Sequence, residues 1–251
     1  ADALIADLEQ HNFGYALPKL YGADIDKINE LRKAGLGLLG SIVGDDKAAD
    51  SIEDTAVELS DLPNYIAEFA AMMKKHGQDA IYYAHAGAGE LHIEPFLDIN
   101  SQEGKILFRS ILSETVDILI KYQGSLSGEH GDGRLRGEFI EKMMGKELLN
   151  LFKEIKHIFD PYQILNPGKI VNSPPMDEEF RISNSDEYQI KSFFNYGDFE
   201  NPLRLAEKCS GSGDCKKTAL TGGTMCPSFM ATLDEKDSTR ARANMLRQIL
   251  S

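Results

Sequence analysis

Three short runs in this sequence carry side chains whose types and spacing could do chemistry. In 85-HAGAGELH-92, two histidines bracket a glycine-rich turn. If Ala88-Gly89 is the two-residue turn of a β-hairpin, Gly87 pairs with Glu90 and His85 faces His92. Directly opposed residues share a sheet face with Cβ atoms about 5 Å apart, close enough for two neutral imidazoles to share one divalent cation. Solvated or hydrogen-bonded hairpin histidines account for the same residues.

In 124-GSLSGEHGDGR-134, Glu129 and His130 are neighbours. On a strand they would point to opposite faces, so one could complete a metal site while the other faces a different part of a pocket. Gly128, Gly131 and Gly133 let the backbone approach a ligand. The alternative is a plain turn with an exposed Glu and His. In 160-DPYQILNPGKI-170, two Xaa-Pro steps fix a loop and leave Lys169 to face an anion.

All three cysteines, Cys209, Cys215 and Cys226, fall within 18 residues of the tail. An odd count so closely spaced argues against a disulfide framework and for metal, cluster or redox chemistry in a reducing compartment. The pattern C-x₅-C-x₁₀-C-P differs from the compact C-x₂-C-x₂-C-x₃-C-P run of bacterial ferredoxins. Three thiolates also leave one iron of a cubane without a protein ligand, so partner cysteines would have to lie downstream. Free thiols, or a zinc site completed by another group, are the alternatives.

The elements that must position these residues follow from periodicity. Asp24–Ile42 reads as a helix, with Asp24 as cap and Ile25, Ile28 and Leu31 at helical spacing. A strand is expected over Ile52–Leu59, a helix from Asp61 through Lys75, and strands over Ala80–Tyr83 and Ile93–Leu97. The longest amphipathic helix covers Glu103–Tyr122. A strand is expected over Gly124–Gly128, followed by helices over Arg134–Met144 and Lys146–Phe159. The order β-α-β-β-α-β predicts an α+β fold, an antiparallel sheet in a ferredoxin-like arrangement with helices packed on one face. A small, mostly helical cysteine-containing segment follows, with a helix before Cys209 and another over Asp237–Leu250.

The composition bounds the function classes. With 251 residues and 42% hydrophobic content the chain can build a packed core, and no apolar run approaches the roughly 20 residues that span a bilayer. The formal charge of −13 argues against a general nucleic-acid binder. That charge is uneven: about −11 over residues 1–171, −5 over 172–200 and +3 over 201–251. The chain lacks an initiator Met and begins in a helix-like stretch, as expected of a piece of something longer.

The runs 31-LRKAG-35, 85-HAGAGELH-92, 127-SGEHGDGRLR-136 and 160-DPYQILNPGKI-170 occur together in this order. From about Ile28 to Val171 the chain resembles the C-terminal, substrate-side domain of FAD-linked oxidases of the vanillyl-alcohol oxidase superfamily. The branch is that of the D-lactate, glycolate and D-2-hydroxyglutarate dehydrogenases. The tail from Cys209 to Arg247 resembles the start of the iron–sulfur half of large FAD-plus-4Fe-4S fusion members.

The resemblance implies three parts: a substrate-side domain over 1–171, an acidic linker over 172–200, and the truncated beginning of a 4Fe-4S domain over 201–251. It implies that His85, His92 and Glu129 hold a divalent metal (Zn or Mn) that chelates the substrate's hydroxyl and carboxylate. His130 would be general base while hydride passes to flavin N5. Arg32 would grip a substrate carboxylate, Asn166 and Lys169 would contact FAD, and Cys209, Cys215 and Cys226 would ligate a 4Fe-4S cluster. FAD would be bound mainly by a domain preceding residue 1, so the chain alone is expected to turn over nothing. One departure concerns the substrate: Ile52 stands where the 2-hydroxyglutarate enzymes have a substrate-binding Lys.

The leading expectation is thus part of an FAD-dependent 2-hydroxy-acid dehydrogenase, cytoplasmic, acting on a small hydroxy acid and passing electrons to iron–sulfur clusters. Its electron acceptor, oligomeric state and any peripheral membrane association are left open. A non-enzymatic metal-binding or electron-transfer module working with a partner chain is the alternative. A metal-assisted hydrolase using His85, His92, Glu129 and His130 is a third.

Overall fold

A computed structural model of the chain describes residues 2–39, 42–178, 192–199, 201–221, 223 and 225–250. The chain divides into two units, Ala1–Leu39 and Gly40–Ser251. The first holds helices α1 (Asp2–Gln10) and α2 (Ala23–Leu39), with Asp24 and Asp26 in the first turn of α2 where the helix dipole favours acids. α2 is the helix expected from Asp24; residues 40 and 41 of its expected last turn lie outside the described residues.

The second unit is built on a four-stranded antiparallel sheet. Strands β1 (Lys47–Ala48), β2 (Thr55–Ala56) and β3 (Ala80–His85) all pair with the long strand β4 (Glu90–Leu97). One face of β4 presents Leu91, Ile93 and Leu97 to helices α3 (Leu62–Lys75) and α4 (Gln102–Lys121). Tyr65, Phe69, Met72 and Met73 of α3 and Phe108, Ile111, Leu112, Val116 and Leu119 of α4 complete this core. Pro63 starts α3, and Ser101 caps α4 by accepting the Gly104 N–H at 2.9 Å. The antiparallel α+β layer with its helices on one face is therefore observed.

Several local expectations change. The strand expected over Ile52–Leu59 reduces to Thr55–Ala56, because Ile52 is fully buried in the core and Asp54 takes a positive φ of 87°. Gly124–Gly128 contributes one bridge, Ala56↔Ser125, rather than a strand. Its Ser125 side chain instead bonds Ser127, an ST-type turn that competes with the ladder. Of the helix expected over Arg134–Met144, only α5 (Ile140–Met144) and a preceding 3-10 turn form, since Arg136 is drawn inward to backbone carbonyls. Helix α6 (Lys146–Phe159) is as expected.

The start of the expected acidic linker is held down: Met176 is buried in the core and Asp177 pairs with Arg109 at 2.7 Å. Residues 179–191 and 200 of that linker lie outside the described residues. In the tail, α7 (Pro202–Ala206) buries Leu203 and Ala206, and α9 (Thr239–Leu250) packs on it through Ala243. The short helix α8 (Pro227–Thr232) begins directly after Cys226.

Candidate metal centre

The face of β3 and β4 opposite the core carries the chemistry. The connection between the strands is a 3-10 turn, Ala86–Ala88, closed by Gly89 in the left-handed conformation. It is longer than the two-residue turn expected at Ala88-Gly89. The register consequently places His85 opposite Glu90 and Tyr83 opposite His92, so His85 does not face His92 directly. A slip of two residues preserves the sheet face, because side chains alternate with period two. His85 and His92 remain diagonal neighbours, with ring centroids 5.4 Å apart and planes at 80°. Glu90, two residues before His92 on β4, shares that face in either register and now stands directly opposite His85.

The loop after α4 folds back over this face. Ala56 and Ser125 exchange backbone hydrogen bonds at 3.0 and 2.8 Å, anchoring the loop beside β2. Asp54 then takes over. Its Oδ1 accepts the Glu129 N–H at 2.6 Å, and its Oδ2 accepts the His130 N–H at 2.9 Å and the Ser127 hydroxyl at 2.7 Å. Burial would raise the Asp54 carboxyl, yet these donors outweigh it and hold the group down to about 2. Arg136 closes the back of the loop, donating to the Leu126 and Gly131 carbonyls at 3.1 and 2.8 Å.

Glu129 and His130 thereby reach the two histidines. Glu129 Oε1 lies 3.7 Å from His85 Nε2, 4.0 Å from His92 Nε2 and 3.3 Å from His130 Nε2. Glu90 Oε1 is 3.7 Å from His92 Nε2. The four side chains of His85, Glu90, His92 and Glu129 each offer a ligand atom within 4.8 Å of the others. On the far side of the His92 ring, Glu53, His92 and His130 form a second such group. The His92 and His130 rings stack at 5.4 Å, and Tyr83 covers the other side of His92 at 4.8 Å.

The electrostatics suit a cation. Burial lowers the His92 pKa, with the Glu53 charge opposing that effect, a shift toward the neutral ring that a metal ligand needs. Burial raises the Glu90 carboxyl, and the neighbouring Asp54 and Glu129 add to it. His92 Nδ1 and Glu90 Oε1 are both buried without a hydrogen-bond partner. Such groups are costly unless something completes them, and two imidazoles with two carboxylates make a donor set that fits a divalent cation.

A cleft of about 810 Å³ opens beside this cluster. His130, Asn166 and Lys169 line it together with the apolar Met144, Phe152 and Ile155. The 160–170 loop is pinned by Asp160, which accepts the Ile164 and Leu165 amides at 2.9 Å each and pairs with Lys156 at 2.7 Å. Ile170 donates its N–H to the Gly133 carbonyl at 2.6 Å, joining this loop to the one that carries His130.

Residues 19–170 match the family described as FAD linked oxidases, C-terminal domain. The chain belongs to this family. It is 34% identical over 231 residues to a D-2-hydroxyglutarate dehydrogenase of Pantoea ananatis, covering 90% of this chain and 22% of that protein. It is 33% identical over 254 residues to the D-2-hydroxyglutarate dehydrogenase of Escherichia coli, covering 99% of this chain and 24% of the relative. A glycolate oxidase subunit GlcD of Bacillus subtilis is 29% identical over 143 residues, covering 57% of this chain and 30% of the relative. The chain thus spans about a quarter of the length of the D-2-hydroxyglutarate dehydrogenases it matches.

Within this FAD linked oxidase domain, the structure brings together His85, His92, Glu129 and His130, and sets Asn166 and Lys169 on the cleft that His130 also lines. Arg32 lies on α2, in the first unit. Sequence reasoning missed Glu53, Asp54 and Glu90. Glu90 was recoverable from its i, i+2 relation to His92 on one strand; Glu53 and Asp54 carried no signal beyond an acidic pair where a strand was expected.

The three cysteines lie in the tail. Cys215 and Cys226 are buried, Cys209 less so, and all three are free thiols. α9 sets Arg240 beside Cys215 and Cys209, and Arg247 donates to the Cys209 carbonyl at 2.9 Å. The basic side chains nearby are engaged: Lys216 with Glu235 at 3.0 Å, Lys217 with Asp214 at 3.0 Å, Arg242 with the Ser228 hydroxyl at 2.8 Å. Among the described residues, the cysteines join no group with ligand atoms within 4.8 Å of one another. No helix among them is long and apolar enough to cross a membrane.

Proposed function

We propose that this chain is the substrate-side portion of an FAD-dependent dehydrogenase that oxidises a small D-2-hydroxy acid of the 2-hydroxyglutarate, lactate or glycolate type. The observation that carries the reading is the convergence of His85, His92 and Glu129 around one position, with His130 reaching from that position into the cleft. The names of the relatives, D-2-hydroxyglutarate dehydrogenases and a glycolate oxidase subunit, support the substrate class.

In this reading His85 Nε2, His92 and Glu129 hold a divalent cation, zinc or manganese, with Glu90 as a further carboxylate within reach. When bound, such a cation supplies Lewis acidity to a substrate hydroxyl and carboxylate, and a bound flavin supplies the hydride acceptor. His130 takes the hydroxyl proton at Nε2, the nitrogen that faces Glu129 at 3.3 Å. Asn166 and Lys169, which line the cleft with His130, would orient the cofactor, the Lys169 ammonium answering negative charge. Arg32 grips a substrate carboxylate. Ile52 is fully buried in the core, so a distal carboxylate finds no partner at that position, which favours lactate or glycolate over a diacid.

The tail is read as the beginning of a 4Fe-4S domain after an acidic linker, with Cys209, Cys215 and Cys226 as ligands, in a reducing cytoplasmic setting. Three thiols are fewer than the four ligands a cubane takes, so the chain does not furnish a full set and no electron step is assigned to it. The test of the whole reading is dye-coupled oxidation of D-2-hydroxyglutarate, D-lactate and glycolate by the enzyme assembled with its FAD-binding portion. Oxidation of at least one, abolished by His130→Ala, is expected. Metal-dependent ester or amide cleavage with no hydroxy-acid oxidation would contradict it.

A further inference from the structure

Glu53 sits between two of the imidazoles with one oxygen on each. Its Oε1 is 3.7 Å from His92 Nδ1, and its Oε2 is 3.4 Å from His130 Nδ1. The two rings lie nearly parallel, 20° apart, so both Nδ1 atoms address the same carboxylate while both Nε2 atoms address Glu129. His92 Nδ1 is buried and has no hydrogen-bond partner. Closing 3.7 Å to a hydrogen bond of about 2.9 Å takes a carboxylate shift of about 0.8 Å. Glu53 is about one quarter exposed and has room to make that shift.

An imidazole cannot use both nitrogens alike: in the neutral ring one donates and the other carries the lone pair. A carboxylate that accepts from Nδ1–H leaves the lone pair on Nε2. We infer that Glu53 is a positioning residue that fixes the tautomer of His92 and His130 together, aiming both Nε2 lone pairs at the Glu129 side. One would then be a metal ligand and the other the proton acceptor. Neither task is open to a ring protonated at Nε2. This inference rests on the metal reading of His85, His92 and Glu129 for its purpose; without metal, Glu129 Oε1 at 3.3 Å from His130 Nε2 and Glu90 Oε1 at 3.7 Å from His92 Nε2 compete with Glu53 as acceptors, and the metal-free tautomers decide which side holds the protons.

The experiment uses the 251-residue chain without metal and reads ring tautomers by two-bond ¹⁵N–¹H correlation at pH 8. In the wild type, His92 and His130 should both show protonated Nδ1 and unprotonated Nε2. In Glu53→Ala both rings should pass to mixtures in which Nε2–H is populated, whereas in Glu53→Gln, whose carbonyl can accept only from one ring, one of the two should stay fixed. Thermal unfolding of the same samples reports whether each variant folds, and wild-type rings found protonated at Nε2 would overturn the inference without any variant. Zinc affinity by chelator competition is the second readout: Glu53→Ala should weaken binding about 10- to 100-fold at unchanged stoichiometry of one. Two zinc ions per wild-type chain, with one lost in Glu53→Ala, would make Glu53 a ligand and overturn the positioning role. Absence of zinc binding in the wild type would count against the metal reading, and the tautomers would still decide the role of Glu53.

Discussion

Asp54 Oδ1 accepts the backbone N–H of Glu129 at 2.6 Å, so a fully buried carboxylate fixes the chain segment from which the Glu129 side chain projects. The same carboxylate holds the amide of His130 and the Ser127 hydroxyl. Asp54→Asn keeps the shape but replaces one acceptor by a donor facing donors. A loss of about 3 kcal/mol in unfolding free energy is expected, from hydrogen bonds to a charged group. Urea unfolding measures it, and a midpoint unchanged from the wild type would mean the loop is held by other contacts.

The same group gives a pH dependence with a definite sign. The Asp54 carboxyl is depressed to about 2 in the fold, below the ordinary unfolded value of about 3.9. A depressed carboxyl adds stability that is complete above the unfolded value and is lost as pH falls through the folded one. The stability difference between wild type and Asp54→Asn should therefore be level from neutral pH to about 5 and shrink between about 4 and 2. A difference that stays constant down to pH 2 would contradict it.

Gly89 closes the turn on which His85 and Glu90 depend. It has a φ of 75°, and a Cβ there would lie 2.0 Å from the Val57 carbonyl oxygen. Gly89→Ala should cost at least about 2 kcal/mol, since both the conformation and the contact must yield. Gly87→Ala, where a Cβ meets nothing within 4 Å, should fall within about 0.5 kcal/mol of the wild type. Thermal unfolding of the two variants side by side checks the contrast.

Cys226 has its thiol lowered to about 6 by hydrogen bonding from the Ser228 hydroxyl, then from the Phe229 amide and Thr239. It should be a thiolate at neutral pH. Ultraviolet thiolate absorbance, compared between wild type and Cys226→Ser, should lose a transition centred near pH 6. Loss of a transition near 8 or 9 instead would show that these donors do not reach the sulfur.

The fold was legible where periodicity was long and strong. Helices α3, α4 and α6 and the pairing of β3 with β4 follow from apolar spacing and caps. The strands at Thr55–Ala56 and Ser125 were overestimated, because there tertiary hydrogen bonds to Asp54 and Arg136 replace ladder pairing and leave no periodic trace. The site was legible as three motifs, His85 to His92, Glu129-His130 and the 160–170 loop. Its supporting carboxylates were missed: Glu90 shares the His92 face by period two alone, whereas Glu53 and Asp54 come beside β4 only through its pairing with the short strand β2, which leaves no periodic trace. Period two is why the site survived a wrong register, since a slip of two residues kept His85 and His92 on one face.

Equilibrium zinc binding to the 251-residue chain and to a His85→Ala, His92→Ala double variant decides whether His85, His92 and Glu129 hold a cation. The wild type should bind one zinc ion, and the folded double variant should bind it at least 100-fold more weakly. Equal affinity in the two would contradict the metal-assisted account.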